Sequence, residues 1–393
     1  MIRVLMISDV FFPRVNGVST SIATFRNALS AFGVEVRLIA PRYGNEAEAP
    51  GIVRIPGLRL PFDPEDRLVR AGAMHKAALR EAAGCDLVHI QTPFAAHRAG
   101  LRAARAHARP VLLTYHTFFE EYLHHYAPFL PAGALRALAR RVSRAQCNAV
   151  DSVVVPSTAM HERLAGYGVH TPMEILPTGV PVRDFAAGDG LHFRRLYDIP
   201  EHAPMALYIG RVAHEKNIGF LLEVAALLRA RHPGFVLVIA GEGPAAPSLQ
   251  QRVLRDGLAR TVRFVGYLER RKRLPDCYAA ADVFVFASRT ETQGLVLLEA
   301  MAAGLPVVAL AAMGTTDILS PQRGTRTAPD HPAGFAAEVE AVLADLRLRR
   351  QLAAAARLHA AEWGDQVMAA RLADLYRRQL AHHTEDSAAG TAA

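Results

Sequence analysis

The chain has a single tryptophan and only three cysteines in 393 residues. Cys85, Cys147 and Cys277 lie far apart with no C-x-x-C pair, which excludes a zinc ribbon or a disulfide framework and fits a reducing compartment. No apolar run of about 18 residues occurs, so no helix is expected to span a bilayer. The opening MIRVLMISDVFF is interrupted by Asp9 and has no small-residue cleavage site, so it does not read as a secretory leader. D-x-D is also missing from the whole sequence. The expectation is a cytoplasmic protein that at most lies on the inner face of the cell membrane.

What is present is ample apolar material, 51% of residues, enough for two cores of about 150 to 200 residues each. Charge is unevenly spread. Residues 1–185 hold 21 basic and 15 acidic side chains, against 24 and 22 in residues 186–393. A basic first half points to an anionic surface as partner, membrane or nucleic acid. Nucleic acid is disfavoured, because no aromatics interleave with the arginine stripes.

Strand and helix patterns alternate throughout, the signature of parallel sheets covered by helices. Strands are expected near 2–8, 35–40, 86–90, 111–114 and 152–155, with helices near 18–32, 65–83, 95–107, 131–148 and 157–166. A Pro/Gly-rich stretch, Pro177 to Gly190, marks a boundary. Strands then resume near 206–210, 236–240, 261–265, 282–286 and 306–310. After Asp330 the pattern is helical. The expected division is 1–180, 181–362, a final helix at 363–382 and a disordered tail at 383–393.

Between the apolar runs Ala281–Ala287 and Pro306–Leu310, Glu291 and Glu299 stand eight residues apart around Gly294. The segment between the runs predicts a helix whose N-terminus lies at the carboxyl edge of a sheet, where free N–H groups and the dipole favour phosphate. At about 1.5 Å rise per residue the two carboxylates are roughly 12 Å apart, the span from a hexose across a diphosphate to a ribose. Glu291 would then accept from sugar hydroxyls and Glu299 from the ribose, with Gln293 and the Gly294, Leu295 and Val296 amides on the diphosphate. The plainer alternative is two solvated glutamates. A second constellation follows strand 206–210: Gly210-Arg211, then Lys216 five residues on. Two cations there can neutralise a departing diphosphate without Mg²⁺ or Mn²⁺. A surface pair with Glu215 is the ordinary alternative. His116 follows the strand at 111–114, and Gly17 lies between the first strand and helix, where it lets backbone approach a ligand; a tight turn capped by Ser19 is the alternative.

Together these segments resemble the E-x7-E retaining glycosyltransferases of family 4, over about residues 1 to 380. The resemblance implies the GT-B fold: an α/β chain of two doubly wound, Rossmann-like parallel-sheet domains facing a cleft, the first binding acceptor, the second nucleotide sugar. The C-terminal helix crosses back to the first domain. It implies His116 in the cleft near the donor sugar and Gly17 over the diphosphate. It places Tyr267 and Leu268 at the base and Gly241 in the nucleoside wall, with catalysis resting on His116, Arg211, Lys216 and Glu291. No cofactor or metal is implied, only a nucleotide-sugar co-substrate.

Downstream of His116, Phe118 to Pro128 (FFEEYLHHYAP) is similar to a stretch of bacterial diacylglycerol glucosyltransferases, as are FPRVNGV at Phe12 and TETQG at Thr290. That implies UDP-glucose as donor and a membrane lipid such as diacylglycerol as acceptor. Arg136, Arg140, Arg141 and Arg144 recur at helical spacing, with Leu135, Leu138 and Val142 away from them. This reads as an interfacial helix facing anionic lipid, or as a solvated face. Arg98, Arg102, Arg105 and Arg109 form a second stripe. The family's Gly-Gly-x-x-Glu turn is Met313-Gly314-Thr315-Thr316-Asp317 here, so donor preference does not carry over through that loop. A GDP-mannose-dependent α-mannosyltransferase and a non-catalytic two-lobed nucleotide-sugar-binding module remain the alternatives.

Overall fold

A computed structural model describes residues 1–59, 67–116, 132–270 and 272–391, with the side chains of Ala132 and residues 386–391 excepted. The stretch from Phe118 to Pro128 lies outside the described residues. The chain forms two compact units, Met1–Gly179 with Asp365–Ala393, and Val180–Gly364.

Unit one contains β1 (Ile2–Ile7), α1 (Gly17–Ala28), β2 (Val34–Pro41), β3 (Ile52–Ile55), β4 (Gly57–Arg59), β5 (Arg67–Val69) and α2 (Ala71–Ala82). It continues with β6 (Leu87–Ile90), α3 (Ala95–Ala106), β7 (Val111–Thr114), α4 (Ala132–Cys147), β8 (Ser152–Val155), α5 (Thr158–Gly166) and β9 (Met173–Ile175). Runs such as LVHI at β6 and SVVV at β8 are wholly buried, as strands covered on both faces must be. The sheet order is β3-β2-β1-β6-β7-β8-β9, every pair parallel.

Unit two runs α6 (Val182–Phe185), α7 (Gly190–Leu196), β10 (Met205–Ile209), α8 (Ile218–Arg231), β11 (Val236–Ala240), α9 (Ala246–Arg255), β12 (Val262–Gly266) and α10 (Arg273–Ala280). Then come β13 (Val283–Phe286), α11 (Leu295–Ala302), β14 (Val307–Ala309), α12 (Thr315–Leu319), β15 (Thr325–Thr327), α13 (Pro332–Ala344) and α14 (Leu346–Glu362). Its order is β12-β11-β10-β13-β14-β15, again parallel. Both sheets reverse strand order once, between β1 and β6 and between β10 and β13. In open α/β sheets ligands bind at the carboxyl ends beside such a reversal.

The last helix, α15 (Asp365–Thr391), belongs to unit one. Its Met368, Leu372, Leu375 and Tyr376 stripe is buried with Ile22, Phe25 and Leu29. At about 1.5–3 kcal/mol per buried large side chain, this apolar face outweighs the surface bonds of Arg371 and Arg377 in holding the helix. Two expectations are corrected here. The helix does not end at 382: His383 meets the Ala108 carbonyl at 2.9 Å, Thr384 bonds back to Leu380, and the backbone continues helical to Thr391. The segment expected as helix from 65 instead pairs Arg67–Val69 antiparallel with Gly57–Arg59 before α2 begins. Among the described residues no helix is long and apolar enough to cross a membrane.

Candidate functional site

In unit two the loops after β10 and β13 are fastened together. Asn217 adopts the left-handed conformation (φ 56°) between a short turn, His214–Lys216, and α8, and its Nδ2 donates to the Ala287 carbonyl at 3.1 Å. Beside that bond, Lys216 Nζ donates to Glu291 Oε2 at 2.6 Å. Their side chains are only 15% and 21% exposed. Such a shielded pair gains little stability once desolvation is counted, so its place at the strand reversal needs another explanation. The sequence places Arg211 and Lys216 together; the structure separates their partners. Arg211 is 53% exposed, with Nη1 3.5 Å from Glu215 Oε1, the ordinary surface arrangement. Its carbonyl accepts from the buried Tyr208 hydroxyl at 3.1 Å, and Tyr208 stacks on Phe286.

Gly294 precedes α11 with φ 94°, a conformation that costs a residue with a β-carbon about 1–2 kcal/mol. A β-carbon there would also lie 3.2 Å from Thr315. The Gly314 N–H donates to the Glu291 carbonyl at 3.0 Å, so the loop after β14 clamps the start of the E-x7-E segment. Met313 carries φ 53° in the position where the resembled family has glycine. Gln293 is buried, Leu295 and Val296 half-buried, and among the described residues no side chain caps α11, whose first amides face the carboxyl edge of the sheet.

Glu299 is not an open carboxylate. It is 1% exposed; the Tyr278 hydroxyl donates to Oε2 at 2.9 Å and Arg270 Nη2 lies 2.5 Å from Oε1. Arg270 also sits 5.2 Å over Phe185. Leu268 is buried and Tyr267 is 53% exposed. Gly210 and Gly241 bring the loops after β10 and β11 into backbone contact: a β-carbon on Gly241 would meet the Gly210 carbonyl oxygen at 2.0 Å. Its N–H donates to the Gly266 carbonyl.

In unit one, His116 Nε2 is 3.0 Å from Gln91 Oε1 at the ends of β7 and β6. Burial depresses its pKa to about 4, so the imidazole is neutral at pH 7. Beneath it His89 is fully enclosed, with Nδ1 2.7 Å from the Tyr376 hydroxyl and Nε2 2.7 Å from Thr114 Oγ1. Desolvation takes His89 to about 3, with the nearby His116 a lesser cause. Asp9, at the end of β1, caps α3 by accepting from the Ala95 and Ala96 amides and from the Thr92 hydroxyl. Burial raises its carboxyl pKa against those bonds. Gly17 is exposed at the first position of α1. The cap is Asn16, which accepts from the Ser19 N–H; Ser19 itself is buried inside the first turn and caps nothing.

On α4, Arg136, Arg140, Arg141 and Arg144 are exposed. The expected apolar side divides: Leu135 is buried, while Leu138 and Val142 are 55% and 43% exposed. Arg98, Arg102 and Arg105 are exposed on α3, whereas Arg109 follows the helix and is half-buried.

The description "Glycosyl transferases group 1" matches residues 192–359, and "Glycosyltransferase Family 4" matches residues 15–184. A GDP-mannose-dependent alpha-mannosyltransferase of Mycobacterium tuberculosis is 30% identical, over 82% of this chain and 82% of its own. The chain belongs to glycosyltransferase family 4. An alpha-monoglucosyldiacylglycerol synthase of Streptococcus pneumoniae is 29% identical, over 78% of this chain and 70% of its own. Among solved structures, the sucrose-phosphate synthase of Thermosynechococcus elongatus superposes with a TM-score of 0.77 at 22% identity, covering 97% of this chain and all of that one. Anabaena HepE, in complex with UDP and glucose, gives 0.76 at 17%, covering 96% and 100%. The fold is GT-B.

Asn217, Tyr208, Arg270, Tyr278 and Gln91 were not singled out from sequence. Asn217 alone has a local signal, a helix-starting residue directly before the apolar run of α8. Tyr278 reaches Glu299 across 21 residues, and no spacing rule predicts that.

Proposed function

We propose that this family 4 glycosyltransferase is a retaining, metal-independent enzyme that moves glucose from UDP-glucose to a membrane lipid such as diacylglycerol. The carrying observation is the Lys216–Glu291 pair at the strand reversal of unit two, beside the uncapped start of α11. Gln293 and the amides of Gly294, Leu295 and Val296 receive the diphosphate. Lys216 and the more exposed Arg211 stabilise the charge that grows on it as the bond from anomeric carbon to phosphate oxygen breaks. Glu291 accepts from the sugar hydroxyls. The departing phosphate oxygen takes the proton of the acceptor hydroxyl, whose oxygen bonds to the anomeric carbon on the same face. Glu299 binds the ribose by exchanging Arg270 for a ribose hydroxyl, and Gly241, Tyr267 and Leu268 line the nucleoside. In unit one His116 is neutral, and its role toward the donor, like that of Gly17, rests on the family resemblance.

The streptococcal relative's name supports a lipid acceptor, and the basic α4 face supports work at an anionic membrane surface on the cytosolic side. A second reading, mannose from GDP-mannose, is favoured by the mycobacterial relative. Purified protein should be given UDP-glucose, UDP-galactose or GDP-mannose with diacylglycerol in phosphatidylglycerol vesicles. The expected product is an α-glucosyl lipid from UDP-glucose alone. A β-linked product contradicts retention, and transfer only from GDP-mannose selects the second reading.

A further inference from the structure

The four arginines of α4 do not lie on a flat stripe. With Tyr167 they wall a cavity of about 430 Å³. Arg136, Arg140 and Arg144 recur every fourth residue and Arg141 flanks them, so all four open on one mouth. The Arg140 guanidinium lies 5.7 Å over the Tyr167 ring, which ends α5. The next residue, Gly168, takes φ 83°, and a β-carbon there would meet Arg144 Cδ at 3.3 Å. This wall is fastened to the end of α4. Asn148 Nδ2 donates to the Gly168 carbonyl at 3.2 Å, and its Oδ1 accepts from the His170 N–H at 2.9 Å.

Four like charges around one hollow repel each other, and no carboxylate among the described residues pairs with Arg136, Arg141 or Arg144. Guanidinium is the group that grips phosphate with paired N–H donors. A phosphomonoester carries about −1.5 to −2 charge near pH 7, which answers a four-arginine ring better than the single charge of a diester. One more feature selects the source of that phosphate. Leu138 and Val142, one turn apart, are exposed on the adjoining face of the same helix. A free phosphate would leave them bare, whereas a lipid fills the cavity with its headgroup and lays its chains along them. We propose that this cavity is a binding site for the phosphomonoester headgroup of an anionic lipid, phosphatidate being the simplest. The inference rests on the reading of α4 as the membrane face and adds headgroup selection to it.

The test is co-sedimentation with phosphatidylcholine vesicles that carry phosphatidate or phosphatidylglycerol at matched surface charge. Wild type should prefer phosphatidate by at least about tenfold, the scale of one bidentate charge-assisted contact. The paired change Arg144→Gln with Ala145→Arg moves one charge off the cavity wall and keeps the total. It should lose the preference and follow surface charge alone. Equal binding of both lipids by wild type, or a preference that survives the paired change, overturns the pocket and leaves the membrane reading standing. Replacing all four arginines by glutamine should release the protein from every anionic vesicle; pelleting like wild type overturns both. Inorganic phosphate or a uridine oligonucleotide that displaces wild type from phosphatidate at concentrations below those of the lipid overturns the lipid assignment.

Discussion

In unit one, the strands beside the order reversal end in groups already engaged: Asp9, after β1, is spent on capping α3, and Gln91, after β6, meets the neutral His116 from the end of the neighbouring β7. In unit two, the equivalent strand ends carry Arg211, Lys216 and Glu291, with an uncapped helix start next to them. The backbone plan is the same, and the chemistry at its reversal is opposite. Burial explains how. Enclosure strips His116 of its charge, while Lys216 and Glu291 lie directly against each other at 2.6 Å. Topology therefore supplies two strand reversals, and at that of unit two the side chains bring cations beside an uncapped helix start.

The sharpest way to break that contrast is to neutralise unit two. Lys216→Ala and Glu291→Gln should each lower kcat by at least about 100-fold, the size of a main transition-state contact. The double variant should fall little further, because the two act as one unit. Turnover within threefold of wild type in both, with unchanged Tm, would remove the assignment.

A second test acts on unit one and reads stability. His89 titrates near 3 when folded and near its ordinary 6.5 when unfolded, so between those values the unfolded chain binds the extra proton. Its contribution is complete above pH 6.5 and is lost as pH falls toward 3, by up to about 1.4 kcal/mol per unit. His116 adds to this between 6.5 and about 4. His89→Gln should flatten the slope of unfolding free energy between pH 6 and 4.5 in guanidinium titrations. An unchanged slope would mean that His89 is not held neutral.

Arg211→Ala should cost less than Lys216→Ala, about tenfold in kcat/KM, because its guanidinium is half exposed and shared with Glu215. That loss should shrink as salt rises. An effect equal to that of Lys216→Ala would show that both cations are equally engaged. The smallest expected effect is none: EDTA should leave transfer unchanged. Activity lost to EDTA and restored specifically by Mg²⁺ or Mn²⁺ would contradict stabilisation by cations and amides alone.

Much of the frame was legible because it is periodic. Alternating apolar strands and helices announce two parallel sheets, and the eight-residue carboxylate spacing marks α11. Legibility ends where partners are distant or elements short. β3, β9 and β15 have four, three and three residues, too few for a pattern to stand out. His89 meets Tyr376 across 287 residues, and Arg270 finds Glu299 from a loop with no local signature. Nor does a row of arginines at helical spacing reveal whether it faces solvent flatly or rings a hollow with Tyr167. That depends on where the turn after α5 packs.

The most direct measurement is a calorimetric titration of UDP and GDP into wild type and Lys216→Gln. The expected result is that the diphosphate which binds wild type weakens at least about tenfold in the variant, while the matching nucleoside monophosphate loses far less. Equal affinities of the two proteins for that diphosphate, or no binding of either nucleotide to wild type, would contradict the assignment of unit two as the donor site.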